Sequence, residues 1–142
     1  LRILEIDQNH AGAHLNLGTV YSDMRNYDGA IEEYTLALEL NADDASARSN
    51  LGSVYYAKGM YPEAMDQYRL ALKIDPDNPE AHFNLGVAFA DVQMFDEAIV
   101  EWERVIEVAP TSSAADLCRD NISMISDFRG ESAEEGSSED DQ

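Results

Sequence analysis

The sequence predicts an all-α fold, a right-handed α-solenoid of antiparallel helix pairs closed by a C-terminal capping helix. Three observations carry this. The triplet Asn-Leu-Gly occurs as Asn16-Leu17-Gly18, Asn50-Leu51-Gly52 and Asn84-Leu85-Gly86, at a constant interval of 34 residues. Each interval contains two helical patterns with a turn between them. Beyond the last interval, apolar residues keep helical spacing but leave the repeat pattern, which suits a terminal cap.

Taken in order, residues 1–10 read as the C-terminal part of a truncated repeat. Ile3 and Ile6 share a face, with Leu4 near it. The chain opens on Leu1 rather than Met, and the reading is of a fragment. Units follow at 11–44, 45–78 and 79–112, with Arg25-Asn26, Lys58-Gly59 and Val92-Gln93 at the turns inside them. Pro62 sits in the first turn of its helix, where a missing N–H costs little. Asp75-Pro76-Asp77-Asn78-Pro79 is a strong stop between units. In 113–129, Ala114, Leu117, Cys118, Ile122, Ile125 and Phe128 form the apolar face of the cap. Residues 130–142 carry six acids, no base and no apolar anchor beyond Ala133, and are expected to be a disordered acidic tail.

The order Leu-Gly-x-x-Tyr, then Ala-x-x-x-aromatic, then Pro at this period resembles the tetratricopeptide repeat. Unit two supplies Leu51, Gly52, Tyr55, Ala64, Tyr68, Ala71 and Pro76; unit three supplies Leu85, Gly86, Phe89, Ala98, Trp102, Val105 and Pro110. Unit one has Leu17, Gly18, Tyr21, Ala30, Tyr34 and Ala37, with Ala42 in place of the proline. His14, Arg48 and His82 occupy the slot of the family's early tryptophan. Small Gly and Ala positions let paired helices approach, and the aromatics fill the space beside them. One pair cannot bury its apolar face alone, so each unit leans on the next.

The net charge is −20, from 29 acidic and 9 basic residues. No basic footprint for nucleic acid exists, and an anionic membrane surface is disfavoured likewise. No run reaches the ~20 apolar residues of a membrane span, so membrane insertion is not expected. The lone cysteine, Cys118, excludes an internal disulfide and reads as a buried cap residue; a cytoplasmic setting is the default. His10 and His14 lack a third metal ligand, and no Ser-His-Asp, paired-acid or phosphate-loop arrangement stands out. The reading is therefore no catalytic residue, no cofactor and no metal.

The candidate site lies on the first helix of each unit. Gly12-Asn16-Thr19-Asp23, Ser46-Asn50-Ser53-Ala57 and Glu80-Asn84-Val87-Asp91 each form one stripe. These stripes are small and mostly neutral, and Asn is a poor residue for a helix interior. A carboxamide carries both donor and acceptor, so Asn16, Asn50 and Asn84 can pair with an extended peptide backbone whatever its side chains. Helices stacked ~8–10 Å apart would meet one rung per roughly three residues of an extended chain. The arrangement is similar to the asparagine ladder in the tetratricopeptide arrays of O-linked N-acetylglucosamine transferase and kinesin light chain. That resemblance implies peptide binding in a concave groove, with the ladder ending at Cys118. The alternative is that these asparagines bond to a neighbouring helix. Thr19 and Ser53 belong to the same stripe. Tyr56 and Phe83 either supply pockets for ligand side chains or pack on the adjacent helix. Asp23 and Asp91 either meet a basic ligand residue or are simply solvated.

Chaperone-docking members of the family grip a C-terminal carboxylate with lysine, asparagine and arginine. Their slots fall here on Leu15, Thr19, Asn50, Glu80 and Asn84; only Asn50 matches, so that acidic class of partner is not expected. The overall expectation is a protein–protein interaction scaffold for an extended, neutral to basic peptide. Two alternatives remain at this level. One is self-assembly into a homo-oligomer through the exposed N-terminal half-repeat. The other is a non-catalytic targeting arm of a larger enzyme.

Overall fold

The computed structural model describes the backbone of residues 2–140 and the side chains of residues 10–130. The described residues form seven helices and no strand: α1 (Arg2–Asp23), α2 (Tyr27–Leu40), α3 (Ala45–Ala57), α4 (Tyr61–Ile74), α5 (Pro79–Asp91), α6 (Phe95–Val108) and α7 (Ser113–Asp140). The main packing is within the pairs α1–α2, α3–α4 and α5–α6. Each pair also packs on the next, and α7 lies against α6. The odd-numbered helices form an inner row, with α3 touching both α1 and α5.

Local chemistry repeats with the period. The side chains of Asp44, Asn78 and Ser112 accept from the backbone N–H three residues on, at 3.0, 3.1 and 3.0 Å, and so start α3, α5 and α7. Inside each unit the chain reverses through a left-handed residue: Arg25 (φ 60°), Gly59 (φ 78°) and Gln93 (φ 64°). The N–H of the next residue reaches back five residues, from Asn26 to Tyr21, Met60 to Tyr55 and Met94 to Phe89, at 2.8–2.9 Å.

The pairs close over glycine. A Cβ at Gly18 or Gly52 would lie 2.7 Å from the ring of Tyr34 or Tyr68, and one at Gly86 would strike the indole of Trp102. Buried residues gather in two clusters. One centres on Tyr34, Leu51 and Val54; the other centres on Tyr68, Phe89, Trp102 and Cys118. Tyr55 packs against both, so the core runs on from unit to unit.

Two stretches differ from expectation. α1 runs unbroken from Arg2, where a helix end near residue 10 was expected. Gln8 and Ala11 replace Pro76 and Pro79 of the later boundary, but Ala42 and Ala45 replace them too and the chain still breaks between α2 and α3, so proline content does not explain the unbroken α1. α7 continues to Asp140, through most of the stretch expected to be disordered. The side chains of Leu1, Ile3, Leu4 and Ile6, behind the self-assembly reading, lie outside the described residues, as do residues 141–142.

Candidate functional site

Asn16, Asn50 and Asn84 stand at equivalent places on α1, α3 and α5. Asn16 is exposed; Asn50 and Asn84 are half-buried. None has a side-chain hydrogen bond among the described residues, so all three carboxamides keep their donors and acceptors uncommitted. One period beyond Asn84, Cys118 is fully buried; its burial pushes the thiol up to about 11.

Thr19 and Ser53 are already engaged. Thr19 Oγ1 donates to the Leu15 carbonyl (3.1 Å) and meets the Tyr34 hydroxyl at 3.0 Å. Ser53 Oγ does the same with the Ser49 carbonyl and the Tyr68 hydroxyl, both at 3.1 Å. Each hydroxyl has one proton, so the tyrosine O–H donates into this relay. In unit three Trp102 Nε1 donates directly to the Phe83 carbonyl at 3.3 Å, the equivalent acceptor. No relay hydroxyl is needed there, and the position is Val87. These side chains therefore secure the packing aromatic beneath the stripe.

Tyr56 and Asp91 form a pair. The Tyr56 hydroxyl donates to the Asp91 carboxylate, linking α3 to α5. That bond, then burial and the carboxylate's charge, push the Tyr56 hydroxyl up to about 12, so it stays a donor. Its ring also stands edge-on to Tyr61, with centroids 5.4 Å apart. Phe83 is half-buried against the second cluster. Asp23 is exposed.

Two features escaped the sequence reading. The family's tryptophan slot holds a polar clamp between the helices of each pair. His14 Nδ1 meets Glu33 at 2.5 Å, Arg48 donates to Gln67 at 3.3 Å, and His82 Nδ1 meets Glu101 at 2.6 Å. The signal was present as a constant 19-residue separation. The other feature is a cavity of about 430 Å³ between α5, α6 and α7, whose lining includes Val87, Asp91, Trp102, Asn121, Met124 and Phe128. Val87 lies three residues from Asn84 and so on the ladder face. No contact within one unit could reveal the cavity, because the cap helix supplies half its wall.

These features define an all-helical repeat solenoid whose inner helices carry asparagines at three equivalent positions, with an apolar cavity at one end. Two family models, described as TPR repeat and Tetratricopeptide repeat, match residues 25–59 with 52–93, and 75–115. The chain belongs to the tetratricopeptide repeat family, whose domains are generally non-catalytic interaction modules. Comparison with curated protein sequences gives no match. Among solved structures, the first such domain of Spaghetti (RPAP3) bound to the HSP90 peptide SRMEEVD is similar at TM-score 0.80 and 23% identity, covering 87% of this chain and 95% of that one. The domain of Arabidopsis OM64 is similar at TM-score 0.78 and 18% identity, covering 83% and 98%. The TPR2B domain of yeast Sti1, in a complex with pHsp70, is similar at TM-score 0.78 and 19% identity, covering 84% and 98%. At these identities the likeness concerns the fold.

Proposed function

We propose that the chain is a protein-interaction module that holds an extended, neutral to basic peptide along α1, α3 and α5. Asn16, Asn50 and Asn84 bond to the peptide backbone. One observation carries this reading: the three carboxamides are at repeat-equivalent positions, accessible, and without internal partners. A solvated amide at the same place in every unit can exchange its water for the N–H and C=O of a ligand backbone. The similar domain of RPAP3 is seen bound to an HSP90 peptide and that of Sti1 in a complex with pHsp70, which supports peptide binding on this fold. The charge differs here. SRMEEVD ends in acids, while the grip positions of this chain are Leu15, Thr19, Asn50, Glu80 and Asn84, with no cation among them. A net charge of −20 favours a partner carrying lysine or arginine. Three rungs contribute ~0.5–1.5 kcal/mol each, so the ladder alone gives modest affinity. The test is titration of a neutral-to-basic nonapeptide into the wild type and into Asn16→Ala/Asn50→Ala/Asn84→Ala, with helicity checked for both. Affinity that stays the same in the triple variant rejects the ladder.

A further inference from the structure

We propose that the cavity between α5, α6 and α7 is an anchor pocket for one large apolar side chain of the bound peptide, with a lysine or arginine beside it held by Asp91. This rests on the peptide-binding reading above and specifies its partner: a basic segment carrying a bulky apolar residue.

The pocket continues the ladder. Val87 and Asp91 follow Asn84 on one face of α5, at spacings of three and seven residues. Trp102, only 3% exposed, closes the floor. The far wall belongs to α7, whose Met124 and Phe128 are each 64% exposed despite their size. Exposed bulky side chains around a concave opening mark an interaction site rather than a plain helix cap, and methionine adapts to varied ligand shapes. About 430 Å³ is at the small end of the range for ligand sites, ~300–1,000 Å³, which suits a side chain better than a whole small molecule.

The rim is polar in two places. Asn121 stands on α7 in the register of Thr19, Ser53 and Val87. Cys118 breaks the ladder, and Asn121 restores a carboxamide one turn on, beside the pocket. Asp91 is held by the Tyr56 hydroxyl through one carboxylate oxygen, which leaves the other for a cation. Charge selects the occupant: the chain is at −20, so a second copy of this acidic surface is repelled while a basic segment is attracted.

The probe is an acetylated, amidated nonapeptide of alanine and serine with one central phenylalanine and a lysine on either side, titrated by NMR. Replacing its phenylalanine by alanine is expected to weaken binding about tenfold or more, the loss of one buried aromatic side chain. Replacing both lysines by glutamate should weaken it further, about threefold or more, and Asp91→Asn should narrow that difference. Ala90 of α5 also lines the pocket, and Ala90→Leu, which fills it from an inner helix, should reduce affinity for the phenylalanine peptide to that of the alanine peptide. Helicity and the Trp102 emission report the fold of each variant. Equal binding of the phenylalanine and alanine peptides, or indifference to Ala90→Leu, overturns the pocket and leaves the ladder standing. An effect of Ala90→Leu with none from the triple asparagine variant rejects the ladder and keeps the pocket. No binding of the phenylalanine peptide to the folded wild type overturns the proposal outright.

Discussion

Gly86→Ala tests how the helix pairs close. The added Cβ would lie 2.6 Å from Cδ1 of Trp102, and closer still to Nε1. Those are ring atoms of a side chain only 3% exposed, so the indole cannot swing aside into solvent. Overpacking of this kind costs about 1–3 kcal/mol. Displacing the ring also strains the Trp102 Nε1 bond to the Phe83 carbonyl, worth roughly 0.5–1.5 kcal/mol. Against this, alanine gains about 1 kcal/mol of helix propensity over glycine. The expected net loss is therefore about 0.5–3.5 kcal/mol. Gly12→Ala is the control: no atom stands within 4 Å of its Cβ, so only the propensity gain remains. Urea denaturation followed by circular dichroism gives the global transition. Trp102, the single tryptophan, reports unit three by fluorescence. Repeat arrays can lose units separately, so the two midpoints are compared directly. Gly86→Ala as stable as the wild type would refute the close-approach reasoning.

Other positions make independent predictions. Arg25→Gly and Gln93→Gly should each stabilise the fold by roughly 0.5–1 kcal/mol, since both residues hold a left-handed φ that Gly59 already takes without a Cβ; denaturant midpoints that fall contradict this. Ser49 Oγ is a buried side-chain atom with no hydrogen-bond partner among the described residues, so Ser49→Ala should be neutral or gain up to about 1 kcal/mol in the same assay. Burial raises the Cys118 thiol from 9.0 to about 11, so its contribution to stability is complete below pH 9 and is lost as pH rises to about 11. At pH 8 its labelling by a disulfide reagent should be at least about tenfold slower than in the urea-unfolded chain, because burial both suppresses the thiolate and blocks access; equal rates would contradict burial.

Much of the fold was legible because its determinants are local and periodic. Leu51, Gly52 and Tyr68 recur with their counterparts at a fixed interval, and each reports the same close approach. The caps at Asp44, Asn78 and Ser112 recur at the same 34-residue interval, a signal the sequence reading left unused. The site was legible only in part. The stripe reads from helix geometry, but Thr19 and Ser53 look like free polar groups until Tyr34 and Tyr68 are seen beneath them. Tyr56 and Asp91 are 35 residues apart, and neither signals that it holds the other. The cavity needed the cap helix, which keeps the 34-residue register but not the residue types of the repeat: Asn121 follows Thr19, Ser53 and Val87, and its place beside a cavity shows only once α7 is seen against α6.

The central claim is that Asn16, Asn50 and Asn84 hold a peptide backbone. An NMR titration of the lysine-flanked phenylalanine nonapeptide, reading the side-chain amide signals of those residues, tests it most directly. All three signals should shift along one binding curve, and the triple alanine variant should bind about tenfold more weakly or worse while keeping its helicity. Asparagine signals that stay still while the peptide binds, with the same affinity in the triple variant, would contradict the ladder.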